Sequence, residues 1–440
     1  MSKKRIKDVR GRKVWDSRGR PTVEVDVVLR YGAVGRAIAP AGASTGSGEA
    51  VERRDGGDRF GGYGVDGAVT AVNGEIKAAL KGLDVDEQDA IDRRLIDLDG
   101  TANRSRLGGN ALIATSLAVL HAAAASEKLP VWQYLGVFLG INEPRYLPLP
   151  EIQIFGGGAH AARRVDVQDF MAVAVGAGSY AQALDWTAEV YRAAGQIMAD
   201  KGSIRGVADE GGYWPEFDGN EDAIETLVRA IEKAGLRPGE DVAVSLDVAA
   251  SEFYRDGLYH LSRDGRDVDS DTLSGMLVDW TERYPIVSIE DPLAEDDAIG
   301  IERFTWAVGK KVQVVGDDYL VTNADRVAAA AERGACNAVL VKPNQAGTVT
   351  ETRAAFDMAR KSGFGAIISA RSGETEDTSI VHLGVGWGVP QLKVGSFTRS
   401  ERMAKWNEGL RVAEALALSS GGALPQDGDL PPGELFPWTR

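Results

Sequence analysis

A single cysteine, Cys336, is all the thiol this chain has, so no intrachain disulfide can form and a reducing compartment is implied. It follows a segment of helical spacing and precedes an apolar run, which predicts a small buried side chain. Positive charge is also short: the net charge is −15. That argues against nucleic acid or an anionic membrane as a partner, since both need a basic surface. It leaves room for a small anionic ligand, because a local cationic pocket can sit in an acidic protein. The basic start Met1-Ser2-Lys3-Lys4-Arg5 is followed by polar residues, so no signal peptide is expected. The most apolar stretch, Ala111 to Ala125, reads as too short to span a membrane and contains His121. Neither a solenoid-type repeat nor a low-complexity segment is visible. A cytoplasmic enzyme is the expectation.

What is present is a chain of 440 residues, 44% hydrophobic and 26% charged, enough for two domains with a sizeable core. The central pattern is Pro285-Ile286-Val287-Ser288-Ile289-Glu290-Asp291-Pro292, an apolar run that stops at two carboxylates. It recurs as Val242 to Leu246 before Asp247 and as Val312 to Gly316 before Asp317. Ala338 to Val341 precedes Lys342, Ala366 to Ser369 precedes Arg371 and Ser372, and Gln391-Leu392 precedes Lys393. Near-continuous Val/Ile/Leu runs mark strands of a parallel sheet covered on both faces. Segments of helical spacing, such as Asp325 to Arg333 and Glu351 to Lys361, lie between them. Such βα units closing into a barrel would bring all these charges to one mouth, at the C-terminal ends of the strands. Three acids and two lysines there suggest a metal-assisted reaction.

Upstream, residues from about Ile6 to Arg36 alternate apolar and polar, which predicts antiparallel strands. Ala41 to Gly48 is small and glycine-rich, and reads as a connection or a lid. Gly67 to Leu80 and Ala111 to Ala125 look helical. These define an α+β domain over residues 1–143, with the barrel over 144–440. Within the latter, Gly156-Gly157-Gly158-Ala159-His160 and Asp209-Glu210-Gly211-Gly212 suggest backbone that approaches a ligand closely. Each signal alone is weak, since a single histidine is more often structural than catalytic. The tail from Gly421 is rich in Gly, Pro and Asp and is expected on the surface.

Together these stretches resemble the enolase family. The resemblance runs through Asp16-Ser17-Arg18-Gly19, Gly42-Ala43-Ser44-Thr45-Gly46, Leu98-Asp99-Gly100-Thr101 and Val207 to Gly212. It continues through Ser288 to Pro292, Gly316-Asp317-Asp318, Arg371 to Asp377 and Arg399 to Arg402. It implies an α/β fold, an enolase-type (β/α)8 barrel with an N-terminal α+β capping domain, in a homodimer or larger homo-oligomer. It also implies Mg²⁺, two ions per site, with Asp247, Glu290 and Asp317 holding the first and Ser44, on the lid, helping with the second. Removing a proton beside a carboxylate builds two negative charges on it, and this superfamily answers with a Lys or His base and one or two Mg²⁺ ions. By resemblance Lys342 is the base, and Glu210 is the acid, assisted by Asp169 with His160 nearby. Lys393 pairs with the substrate carboxylate, and Arg371 and Ser372 hold a phosphate-like group.

Several positions depart from the family pattern. Ala370 stands where histidine is usual, Asp169 where glutamate is, and Phe155 where asparagine is. Arg163 and Arg164 follow the histidine region and would suit a more anionic substrate. The proton-abstracting set is intact while the wall around the phosphate and the leaving hydroxyl differs. This points to a paralogue that dehydrates a relative of 2-phosphoglycerate, such as a phosphono-acid with a carboxyl on phosphorus. A glycolytic enolase tolerating Ala370 and a non-catalytic protein on the same scaffold are the alternatives.

Overall fold

Val23, Val25 and Val27 face one side of a strand whose other side carries Glu24 and Asp26, yet all five are buried. Arg12 and Arg36 from the flanking strands cover the two acids, with Arg36 Nε 2.7 Å from Asp26 Oδ1. The strands are β1 (Ile6–Trp15), β2 (Pro21–Leu29) and β3 (Val34–Ile38), joined as an antiparallel sheet in the order β1-β2-β3. These coordinates are a computed structural model that describes residues 4–43, 45–141, 143–203, 206–214 and 216–439. Across the sheet lies the helix Gly109–Glu127, whose alanines let it approach closely. At Gly35 a Cβ would meet Ala118 O and Ala122 N at 2.1 Å, so only glycine fits. This 19-residue helix is long and apolar enough to cross a membrane, contrary to the reading of its sequence as too short. Its most apolar window is 83% buried inside the protein, where it serves as the core of the N-terminal region.

The remaining strands are β4 (Leu149–Gly156), β5 (Asp169–Val173) and β6 (Ala243–Asp247), then a small sheet of β7 (Tyr254–Arg255), β8 (Leu258–Leu261) and β9 (Arg266–Val268). After these come β10 (Ile286–Glu290), β11 (Gln313–Gly316), β12 (Ala338–Val341), β13 (Gly365–Ser369) and β14 (Gln391–Ser396). Eight of them close a barrel in the order β10-β11-β12-β13-β14-β4-β5-β6. One strand, β5, runs antiparallel to both neighbours. Helices pack outside: Tyr180–Asp200 on β4, Val349–Lys361 on β12 and β13, and Ser400–Ser419 on β14. Several begin with a side-chain cap, as where Ser179 accepts from Gln182 N at 3.1 Å and Asp269 from Thr272 N at 2.9 Å. Each such cap is worth about 1 kcal/mol.

Val315, Ala338, Leu340 and Ile367 form a small apolar cluster of their own. Val315 and Leu340 precede Asp317 and Lys342 by two residues, so by strand alternation they point into the barrel beneath those charges. At the opposite end Leu149, Val173 and Phe436 close the barrel, with Leu430 and Trp438 against them. The tail is therefore not simply a surface segment: its aromatic end plugs the barrel floor. Cys336 is buried, as expected.

Candidate active site

Asp247 and Glu290 are the last residues of neighbouring strands and stand opposite each other in register. Asp317 follows β11 directly and Lys342 follows β12. Lys393 is the third residue of β14, in register with Glu151 of β4. Its Nζ lies 2.7 Å from Glu290 Oε2, 2.9 Å from Asp247 Oδ2 and 3.6 Å from Asp169 Oδ2. Lys342 Nζ is hydrogen-bonded to Asp317 Oδ2, and Gln345 Nε2 donates to Asp317 Oδ1 at 2.8 Å. All of these groups are buried.

Burial first, and then the neighbouring Asp247, push the Glu290 carboxyl well above the usual range. Burial opposes the charge on Lys393, yet Asp247, Glu290 and Asp169 override it and raise the ammonium. Burial would likewise raise Asp317, but Lys342 beside it holds the carboxyl down. Asp291 and Asp318 are pushed up to about 8 and about 9 by burial and then by Asp317. Asp291 spends both oxygens bracing the loop: Oδ1 accepts from Asp317 N at 2.9 Å and Oδ2 from Asp318 N at 2.8 Å.

The acids suit a hard divalent cation. Asp247, Glu290 and Asp317 offer carboxylate oxygens, which Mg²⁺ prefers. Among the described residues Glu290 Oε1 is buried without a hydrogen-bond partner, and Glu290 and Asp247 repel each other in a way a cation would relieve. Two groupings whose ligand atoms lie within 4.8 Å of one another are Asp291–Asp317–Asp318 and His160–Asp169–Glu210.

On the other side, Arg371 Nη1 lies 2.9 Å from Glu49 Oε2 and donates to Asn344 Oδ1 at 3.1 Å. Arg18 Nη1 donates to Ser372 Oγ at 3.0 Å. Buried Arg402 fixes the strand ends by donating to Arg371 O at 2.7 Å and Val394 O at 2.8 Å. His160 is held on a short turn, Gly158–Ala161, with Nδ1 3.1 Å from Asp169 Oδ1 and Nε2 3.8 Å from Glu210 Oε1. Burial alone would lower it, but Asp169 and Glu210 hold it at about 9. Asp169, which burial would raise, is drawn down to about 2 by His160 first. A narrow cleft runs between the two sides.

Residues 6–135 match the model of the enolase N-terminal domain, and residues 144–422 match that of the enolase C-terminal TIM barrel domain. This chain belongs to the enolase family. Its domains are those of an enolase-like, Mg²⁺-dependent dehydratase.

Of the side chains singled out in the sequence, His160, Asp169, Glu210, Asp247, Lys342, Arg371, Ser372 and Lys393 line the cleft, as does Ala370. Glu290 and Asp317 meet the lysines without forming part of its wall. Ser44 lies outside the described residues. Arg163 and Arg164 do not reach the cleft: they are about half exposed and face Glu252 at 3.0 Å and Glu216 at 4.0 Å. Left-handed backbone at Ala162 (φ 51°) and Arg163 (φ 56°) turns them outward. Phe155 is not in the wall either. A bulge between Gln153 and Phe155 breaks the alternation of β4 and sends the ring onto Phe217, 5.0 Å between centroids.

Three polar residues of the site were given no role from the sequence. Gln168 donates to Asp247 Oδ2 at 3.1 Å, Gln345 holds Asp317, and Glu49 holds Arg371. Gln168, beside Asp169, and Gln345, three residues after Lys342, stood close enough to the motifs to be found. A larger cleft runs along the flank past Gly48, Arg104 and Asp325. Gln345 is part of its wall, but the converging acids and lysines are not.

Proposed function

We propose that this enolase-family protein removes water from a relative of 2-phosphoglycerate to give a phosphoenolpyruvate-type product. Carboxyphosphonoenolpyruvate synthase, which acts in phosphonate biosynthesis on a substrate with an added carboxyl on phosphorus, is the relative whose chemistry fits best. The observation that carries this reading is Ala370, a methyl in the cleft wall between Ser369 and Arg371. It leaves space and one hydrogen-bonding group fewer beside the phosphate-type residues, while the acids and lysines opposite are complete. The outward turn of Arg163 and Arg164 takes away one argument for a more anionic substrate, so the reading rests on Ala370.

Lys342 is the base that takes the proton from carbon. Lys393 faces the substrate carboxylate, and Arg371 and Ser372 take the phosphate-like group. Glu210 delivers a proton to the departing hydroxyl, with His160 and Asp169 setting its surroundings. Asp247, Glu290 and Asp317 would hold one Mg²⁺, and Ser44 would take part in a second site. Bound there, Mg²⁺ would neutralise the charge that develops on the substrate carboxylate. A homodimeric, cytoplasmic enzyme completes the proposal.

A second reading, turnover of 2-phosphoglycerate itself, is favoured by Arg371 and Ser372 in the cleft wall. Absorbance in the enolpyruvate band, with Mg²⁺ and either substrate, separates the two. Strong signal with 2-phosphoglycerate that Lys342→Ala removes would replace the first reading by the second. Silence with every phospho- and phosphono-acid offered, and no Mg²⁺ uptake, would leave a non-catalytic scaffold.

A further inference from the structure

The barrel interior is divided. One side is the apolar cluster of Val315, Ala338, Leu340 and Ile367. On the other, Ser245, Ser288 and Gln391 stand two residues before Asp247, Glu290 and Lys393, so strand alternation points them inward below those charges. Among the described residues the hydroxyl of Ser288, both amide atoms of Gln391 and one carboxylate oxygen of Glu151, Oε2, are buried without a hydrogen-bond partner, and the Ser245 hydroxyl lies beside the Glu151 carboxyl. An apolar layer there would exclude charge, whereas a polar one lowers the cost of bringing charge in.

Glu151 is 1% exposed and in register with Lys393 on the adjoining strand, so the two side chains leave the sheet on the same face. Burial pushes its carboxyl up, and Lys393 is the strongest charge pulling it back down. In the described arrangement the Lys393 ammonium is held instead by Glu290 and Asp247, at 2.7 and 2.9 Å. Those are the acids assigned above to a divalent cation, so ammonium and cation compete for the same oxygens. A lysine displaced from them needs a new counter-charge, because an unpaired buried ammonium is costly. Asp169 already shares its charge with His160 at 3.1 Å. Asp169 Oδ2, 3.6 Å from the ammonium, and Glu151 Oε2 both lack a hydrogen-bond partner among the described residues, but Asp169 also balances His160, which leaves Glu151 as the neighbouring carboxyl in no ion pair.

We propose that Glu151 receives the Lys393 ammonium when a divalent cation takes the carboxylates of Asp247 and Glu290. It is thus a positioning residue that links the polar barrel interior to the cation site. This rests on the metal assignment made under the proposed function.

The test is Mg²⁺ titration calorimetry on the full chain, with no substrate present. Glu151→Gln keeps shape and polarity but removes the charge, and is expected to weaken Mg²⁺ binding about tenfold, as expected for one lost charge interaction in a partly polar interior. Glu151→Asp should recover at least half of that loss on a logarithmic scale. In a Lys393→Met background the Glu151→Gln substitution should change affinity by less than about twofold, the signature of action through the lysine. Mg²⁺ binding by Glu151→Gln within twofold of wild type overturns the proposal, as does an equal loss in the Lys393→Met background. Equal thermal midpoints of wild type and Glu151→Gln without Mg²⁺ are expected, which separates the effect from misfolding. Failure of the wild type to take up Mg²⁺ at all would bring down the metal assignment itself, a result distinct from a normal wild type and an indifferent Glu151→Gln.

Discussion

Glu49 and Arg371 lie 322 residues apart in the chain and meet as a buried ion pair, Oε2 to Nη1 at 2.9 Å. The pair pins the segment after the glycine-rich loop to the cleft wall and orients the guanidinium. Breaking a buried pair from one side leaves an uncompensated charge, a loss of about 3–5 kcal/mol. Glu49→Ala should therefore lower the denaturant midpoint strongly and, if the protein still folds, raise KM more than it lowers kcat. A stability change below about 1 kcal/mol would show that Arg371 finds another partner at little cost.

The His160–Asp169 pair predicts a pH limb in stability. His160 is held at about 9 in the folded chain against an ordinary 6.5. A raised cationic group contributes stability that is fully present below 6.5 and disappears as pH rises through about 9. Asp169, drawn down from 3.8 to about 2, acts in the opposite direction: its contribution is present above 3.8 and lost on acidification through 2. Thermal midpoints of wild type should accordingly fall between pH 6.5 and 9, and those of His160→Gln should fall less. Parallel profiles for the two proteins would remove the pair from the stability argument.

Lys342 sits on Asp317 in a direct hydrogen bond and so competes with any cation for that acid. Lys342→Ala should abolish most turnover, about a thousandfold for loss of a general base, while Mg²⁺ binds as well as before or better. Joint loss of turnover and Mg²⁺ uptake would mean that the lysine is needed to build the acid cluster rather than to move a proton.

How much of this was legible in the sequence follows the geometry of each element. Asp247, Glu290, Asp317 and Lys342 stand at the ends of apolar runs on parallel strands, and a strand that stops at a charge announces the mouth of a barrel. Asp169 gives no such sign. It opens its strand rather than closing it, and reaches the same mouth because β5 runs antiparallel to its neighbours. Only the family resemblance placed it. Arg163 and Phe155, singled out as departures from the family pattern, lie away from the cleft for local reasons: left-handed backbone in one case and a bulge in the other. The partner of Arg371 was hidden because nothing in the spacing of Glu49 signals a contact across the chain.

Ala370 gives the sharpest test of substrate. Its methyl lies in the cleft wall beside Arg371 and Ser372, where a larger polar side chain would reach a phosphate-type group. Ala370→His adds a hydrogen-bond donor and fills space. If the pocket alone has been retuned, kcat/KM for 2-phosphoglycerate should rise by about tenfold or more, the worth of one hydrogen bond to a charged group. The same change should penalise a substrate with an extra carboxyl on phosphorus, since the added ring takes the room that carboxyl needs. Opposite shifts for the two substrates would identify Ala370 as the specificity residue. No gain with 2-phosphoglycerate would move the argument to Asp169, one methylene shorter than glutamate. Asp169→Glu, alone and with Ala370→His, then becomes the decisive pair, because a carboxylate brought nearer Glu210 would act on the leaving hydroxyl rather than on the phosphate.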